Sequence, residues 1–427
     1  MSGVQDMRLR RLSPRQVPQL RRDPVDGPTL SKAREIVDTV RAEGLSALQD
    51  YAQRYGDWSP GDPLWFGPED MASAFFALPV EKQQVLTRTA DRIKAFAEAQ
   101  HAGLKAIEAP IPGGVAGVRF DPVERAGCYA PGGRFPLPSS VLMTAIPARV
   151  AGVDTVWVAS PRPAPETLAA AHAAGADALL AVGGAQAIAA LAFGAGPVPA
   201  CDAVVGPGNI WVTAAKQIAA GRVAIDMLAG PSELVVLADA GADPDRVAAD
   251  LLAQAEHDPD ALPVLIALDP MLLSQVDRAL SQQLADLSTA DIARQALDKG
   301  FAVAVGDLAE GVALCDRMAP EHLALHLDEP VLTEAANTLS HYGALFVGGD
   351  AAEALGDYGI GPNHVLPTGG TARSYGGLSV MTFLRARTWM RVDDVSAAQG
   401  AVSDAVALAR MEGLEAHARS AALRLKG

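Results

Sequence analysis

Beyond Pro131 the chain alternates short apolar runs with Ala-rich amphipathic segments, and this rhythm constrains the fold more than any other feature. The runs cover residues 156–159, 178–182, 203–205, 234–238, 264–267, 302–305 and 345–347. Each is short enough for a strand, and the segments between them are long enough for helices. A parallel neighbour needs a long crossover, usually a helix, so strand–helix alternation predicts parallel sheets. The runs are apolar throughout, which places helices on both faces. They are too many for one small sheet, and the Gly230-Pro231-Ser232 turn divides them. The expectation is an α/β chain with two Rossmann-like doubly wound domains. One takes residues 126–232 and the other residues 23–125 plus 233–376. An N-terminal arm (1–22) and a small helical C-terminal domain (377–427) complete the chain.

Earlier segments read as helices. Residues 29–55 have Thr29 or Ser31 as N-cap and an apolar stripe of Ile36, Val37, Val40, Leu45 and Leu48. This segment is expected to pack with the unit after residue 232. Residues 68–101 form a second helical region, broken near Pro79. Between Gly113 and Tyr129 the alternation predicts a hairpin or short strands. From Asp393 onward the pattern is helical.

A net charge of −15 argues against a general nucleic-acid binder, which needs clustered Lys and Arg. The three cysteines, Cys128, Cys201 and Cys315, are widely spaced and form no CxxC. A thiolate zinc site and a disulfide framework are therefore not expected, and a reducing, cytoplasmic location fits. No secretory leader is read at the N-terminus, and no window approaches 18 uninterrupted apolar residues.

Polar clusters carry the chemistry. Residues 250–258 read Asp-Leu-Leu-Ala-Gln-Ala-Glu-His-Asp at the end of a helical pattern, with Gln254 and His257 on one face. Pro320-Glu321-His322, Gly356-Asp357-Tyr358, Pro362-Asn363-His364 and Glu412-Gly413-Leu414-Glu415-Ala416-His417 follow. Gln254, His257, Asp357, His364 and His417 supply nitrogen and oxygen ligands without sulfur, a set that suits Zn²⁺ or a similar divalent ion. Each histidine alone is more often a hydrogen-bonded structural residue than a ligand, and four such clusters together bring the two readings level. Asp357 and His364 are expected in a glycine-rich loop. Glu321 and His322 make sense as an acid/base pair, or as the first turn of a helix after Pro320. His172, His326 and His341 lack such clusters and read as structural or surface residues.

No GxGxxG follows a strand, so the usual dinucleotide fingerprint is absent. Gly183-Gly184-Ala185-Gln186 and Gly206-Pro207-Gly208-Asn209 each open a helix after a strand, as does Tyr129-Ala130-Pro131-Gly132-Gly133-Arg134. Such turns suit phosphate, but ligand-free tight turns look the same.

Taken together these segments resemble the histidinol dehydrogenase family. The likeness rests on Ala229-Gly230-Pro231-Ser232-Glu233, Gln254-Ala255-Glu256-His257-Asp258, Pro320-Glu321-His322-Leu323, the run from Gly361 to Thr368, Glu412 to His417, and Tyr129 through Met143. It spans about residue 20 to residue 420 in order. The resemblance implies a zinc enzyme, one ion per subunit, that oxidises L-histidinol to L-histidine through the aldehyde with two NAD⁺, at the end of histidine biosynthesis. By it, Gln254, His257, Asp357 and His417 are zinc ligands, and Glu321 and His322 are the catalytic acid/base residues. Ser232, His364 and Glu412, with Gln254, His257, His322, Asp357 and His417, contact substrate. Tyr129, Gln186 and Asn209 contact NAD⁺, which makes 126–232 the cofactor domain and leaves most catalytic residues to the other. A homodimer with a swapped C-terminal domain and shared sites is implied too. Ala324, residues 349–352, residues 374–377 and Thr382 depart from the family pattern. The rival readings are a related zinc/NAD enzyme for another small polar alcohol, such as a sulfonated diol, a zinc hydrolase using Glu321 as base, and a non-catalytic metal-binding scaffold. Glu412 favours histidinol, because a carboxylate suits a cationic amine or imidazole.

Overall fold

The apolar runs form two six-stranded sheets in a computed structural model that describes residues 7–20, 23–132 and 136–425. Gly133 and Arg134 of the third glycine turn lie outside the described residues. One sheet has the order Arg10–Leu12, Phe301–Ala304, Leu262–Ala267, Glu233–Ala238, His322–His326, Ala344–Val347, all parallel. The other runs Trp65–Phe66, Ala178–Leu180, Thr155–Ala159, Arg125–Tyr129, Ala203–Val205, Ala224–Ile225. It is parallel except for Trp65–Phe66. In each, the chain winds outward from a central strand and then crosses to its other side. That crossover is the switch point of a doubly wound sheet.

The helical N-terminal segment packs differently from the expectation. Ile36, Val37, Val40 and Leu48 share a core with Ile188, Leu191 and Val212 of the second sheet's helices. Met71, Leu86 and Ile93 join Val141 and Met143 on its other face. Residues 27–102 thus cover the 125–225 sheet, not the 233–347 sheet. The stripe fixed which helix face is buried, and the Ala-rich helix Gly184–Phe193 offers the flat partner surface. The N-terminal arm docks on the 233–347 sheet. Arg10–Leu12 adds an edge strand to it, and the Met7 and Leu9 N–H groups donate to Ser281 and Asp277.

Two further elements differ. His322–His326 is a buried central strand rather than a helix start, because its neighbours Leu323 and Leu325 fill one core while Ala324 faces another. Leu384–Val392 is a nine-residue strand in the region expected to be helical, paired antiparallel with Gly114–Pro122. Gly114–Pro122 also pairs with Ile107–Ile111 as a hairpin. The helices Gln399–Met411 and Glu415–Ala422 follow and pack on each other. No helix among the described residues is long and apolar enough to cross a membrane.

Candidate active site

All the polar clusters except Glu412–His417 converge at the amino ends of the 233–347 sheet. Ser232 and Glu233 open one central strand, and Glu321 and His322 open the strand beside it. The helix Pro244–Ala255 runs back to this edge and delivers Gln254 at its last turn, with His257 just beyond its end. Asp357 ends a short helix, Glu353–Asp357, where a loop was expected. The glycines break that helix only after Asp357, so the loop begins one residue later.

Glu321 is buried and held as an acceptor. The Ser232 hydroxyl and the Glu233 N–H, the latter at 3.1 Å, both donate to its Oε2. Burial pushes its carboxyl well above the ordinary range, and the Ser232 bond only partly offsets this. His322 is also buried, and burial pulls its imidazole down to about 4. It is therefore neutral near pH 7, as a general base must be. Its Nδ1 lies 3.3 Å from Gln254 Oε1 and 3.4 Å from Glu353 Oε1, and its Nε2 lies 3.8 Å from Asp357 Oδ1.

His257, Glu353 and Asp357 bring one ligand atom each within 4.8 Å of one another. Gln254 Nε2, His322 Nε2 and both Glu353 oxygens are buried without a hydrogen-bond partner. Stranding so many polar atoms is costly unless a cation or substrate completes them. An imidazole and carboxylates grouped this closely fit a divalent ion of the zinc type. Glu353 escaped the sequence reading. Its one signal is spacing, four residues before Asp357 on the same helix face.

His364 completes the wall. Its Nδ1 lies 2.9 Å from the Asp357 carbonyl oxygen, and its Nε2 lies 3.3 Å from Ser140 Oγ. Ser140 belongs to the first turn of the helix Pro138–Val150, which follows the central strand of the other sheet. Asn363 also donates to the Met143 carbonyl on that helix at 2.6 Å. The amino edge of one sheet therefore meets the carboxyl edge of the other.

That carboxyl edge carries the remaining expected residues. Tyr129 ends the central strand, and its hydroxyl accepts from Gly184 N–H at 3.2 Å. Gln186 lies buried in the first turn of the helix that Gly184 opens. Asn209 caps the neighbouring helix, accepting from Trp211 and Val212 N–H. Within a single chain, Glu412 and His417 do not reach the cluster. Both are exposed, and no described residue of the site bonds to either.

Two doubly wound sheets meeting at a buried glutamate–histidine pair beside a metal-type cluster define a two-sheet α/β enzyme. The sequence profile of the histidinol dehydrogenase family matches residues 21–425. The chain is 47% identical over 403 residues to the histidinol dehydrogenase of Thermus thermophilus, covering 93% of this chain and 95% of the relative. It is likewise 47% identical over 403 residues to that of Nitratidesulfovibrio vulgaris, covering 92% and 91%. The crystal structure of histidinol dehydrogenase from Elizabethkingia anophelis superposes with a TM-score of 0.91 at 30% identity, over 98% of both chains. The chain belongs to the histidinol dehydrogenase family.

Proposed function

We propose that the chain oxidises L-histidinol to L-histidine through the aldehyde, using two NAD⁺ in turn and one zinc ion per subunit. The observation that carries this reading is the buried pair Glu321–His322 beside the His257–Glu353–Asp357 cluster, in a chain of this family. Gln254, His257, Asp357 and a partner subunit's copy of His417 would hold the zinc, which when bound supplies an electrophilic anchor for a substrate nitrogen. NAD⁺ supplies the hydride acceptor. It is assigned to Tyr129, Gln186 and Asn209.

The roles follow from environment. His322, kept neutral by burial, takes the hydroxyl proton as hydride leaves the carbinol carbon. Glu321 activates the water that hydrates the aldehyde, and His322 serves again in the second oxidation. Ser232 holds the Glu321 carboxyl in place. Ser232 and His364 are assigned to substrate contact, and Glu412 to pairing with the substrate's cationic group. A zinc hydrolase would leave the second sheet's turns without a role, and a sulfonated substrate would want Arg or Lys where Glu412 is assigned. Cys128, Cys201 and Cys315 are free and buried, which suits the cytoplasm.

The assigned dimer rests on the tail. The two C-terminal helices bury little beyond Val406 and Ala418, and they expose Leu408, Met411, Leu414 and Leu423. Beside the site an apolar groove of about 600 Å³ is lined by Phe96, Tyr342, Phe346, Leu355, Ile360 and Leu366. Apolar surface on both sides suits a swapped tail that brings Glu412 and His417 to the partner's site. Subunit complementation tests this. Glu321→Gln and His417→Ala homodimers are each expected to be nearly inactive in NADH formation from histidinol. Mixed, unfolded and reassembled, about half the dimers become hetero and roughly a quarter of native activity returns. No return would place the tail on its own subunit.

A further inference from the structure

A fully buried lysine lies outside the catalytic cluster, and no role assigned above uses it. Lys216 sits on the helix Ile210–Ala219 and is paired with the buried Asp226 carboxylate. Burying two charges is expensive, and an apolar pair of similar volume would usually pack as stably. What an apolar pair could not do is make directed bonds. Lys216 Nζ donates to the Gly206 carbonyl at 2.9 Å, while the Gly206 N–H donates to Asp226 Oδ2 at 2.7 Å. Gly206 is thus gripped through both its N–H and its C=O.

Gly206 is a sensitive place to grip. Its φ is +118°, and a Cβ there would lie 2.0 Å from the Tyr129 carbonyl oxygen. The Tyr129 backbone therefore rests directly on it, and Gly206 opens the turn that ends in Asn209. The same pair reaches toward the catalytic residues. Asp226 Oδ1 accepts from Met227 N–H at 2.8 Å, at the start of the segment that leads to Ser232. One turn before Lys216, the Thr213 hydroxyl donates to the Ala229 carbonyl of that segment at 2.8 Å. The next N–H, of Gly230, donates to Thr368 at 2.6 Å. Ser232 then holds Glu321.

We infer that the Lys216–Asp226 pair, with Thr213, is a positioning device that sets the Tyr129–Asn209 cofactor turn in a fixed frame relative to Ser232 and Glu321. Lys216 and Asp226 are not among the residues assigned to substrate or cofactor, and their bonds run to Gly206, to Met227 and to each other. They hold the peptide on which the turn is built and the segment that carries Ser232. The inference rests on the assignment of Tyr129 and Asn209 to NAD⁺.

The test uses the zinc-loaded enzyme and the variants Lys216→Met, Thr213→Val and Asn209→Ala. NAD⁺ half-saturation and kcat are measured with histidinol, and histidinol binding is measured by calorimetry without NAD⁺. Misplacement of a turn by a fraction of an ångström predicts an NAD⁺ half-saturation raised about tenfold or more in Lys216→Met and a few-fold in Thr213→Val. Zinc content and histidinol binding should match the parent. If Lys216→Met does not fold, Thr213→Val, which loses only a hydroxyl, decides alone. A lower melting temperature with unchanged NAD⁺ half-saturation would mean a purely structural pair and overturn the inference. Asn209→Ala separates the two readings. If it raises NAD⁺ half-saturation while the others do not, the positioning role fails and the cofactor assignment stands. If Asn209→Ala itself has no effect, both fall.

Discussion

The two sheets share a strand order and differ in which end is left open. On the 233–347 sheet, three of the five helices that leave the carboxyl edge are capped by their own carboxylates, Asp243, Asp269 and Asp307; a fourth, Val331–Thr338, has Glu329 accepting from its Thr333 N–H, and the fifth, Glu353–Asp357, starts at Ala352 without a side-chain cap. The switch-point crevice on that edge is closed by Asp239, which accepts from Gly241 and Asp328 N–H. On the 125–225 sheet, the corresponding helix starts are Leu137, Ala164, Gly183 and Asn209, none of them acidic. A helix N-terminus carries partial positive charge and attracts anions unless a carboxylate already occupies it. One sheet has spent that charge on itself, and the other has kept most of it. This supports assigning the dinucleotide to the 125–225 sheet. The 233–347 sheet instead gathers Ser232, Glu233, Glu321 and His322, the last two proposed as the acid/base pair, at its opposite edge. A duplicated architecture thus says little about where a site lies, and the charge of the helix caps says more.

The largest expected effect separates chemistry from cofactor binding. Glu321→Gln should slow oxidation of histidinaldehyde about 10²–10⁴-fold, the usual worth of general acid–base help, and slow its reduction by NADH far less. NAD⁺ half-saturation should not move. Asn209→Ala should do the reverse, raising NAD⁺ half-saturation about tenfold, roughly 1.4 kcal/mol, with metal content intact. A shift of NAD⁺ half-saturation in Glu321→Gln, or equal losses in both directions of the aldehyde reaction, would break the division between the sheets.

The sequence carried the strands well, because six of the central strands are continuous apolar runs that burial on two faces demands. It carried His322–His326 poorly. A strand preceded by Glu321 and with a histidine at each end reads as polar, and the physical reason is that its first residues face the polar cluster while its middle fills the core. Packing of residues 27–102 was not legible, since an amphipathic stripe names its buried face but not its partner. Glu353 was missed because a lone carboxylate beside Ala351-Ala352 has no motif. Only the three-dimensional meeting of Glu353, His257 and Asp357 gives it meaning. The motif residues were legible as a family likeness, and the swapped tail that this likeness implies is consistent with His417 standing exposed and away from the cluster of its own chain.

Glu353 sharpens the comparison through pH. Burial raises its carboxyl well above its ordinary 4.5, and the nearby Asp357 and Glu321 carboxylates add to the shift. The folded state therefore holds this proton longer than the unfolded chain does. Its contribution to stability is full below about 4.5 and is lost as pH rises through the folded value. His322 runs the other way: depressed to about 4, it contributes fully above 6.5 and loses that as pH falls through 4. In metal-free protein, the Glu353 contribution should therefore make melting temperature fall as pH rises above about 4.5, and Glu353→Gln should flatten that slope. With zinc restored, the same variant should retain metal less well. Identical slopes in parent and variant would remove Glu353 from the metal-type cluster.

The smallest expected effect tests the cap argument directly. Besides Asp226, which is paired with Lys216, Asp57 brings a carboxylate to the carboxyl edge of the 125–225 sheet, accepting from Gly183 N–H at 2.9 Å. It comes from the loop after the helix Leu45–Arg54, not from the capping position itself. Burial raises its pKa, and the Gly183 bond offsets part of that. Half-buried, it adds negative charge near the turn assigned to an anionic cofactor. Asp57→Asn keeps an acceptor for Gly183 and removes only the charge. Charge at a helix terminus is worth about 0.3–1 kcal/mol, so NAD⁺ half-saturation should fall roughly two- to fivefold. Looser binding in the parent has a use, because two NAD⁺ must pass through one site in turn. Asp269→Asn, the same change at a cap on the catalytic sheet, should leave NAD⁺ half-saturation unchanged. If Asp269→Asn shifts it as much as Asp57→Asn, the cofactor senses both edges alike and the contrast between the sheets is lost.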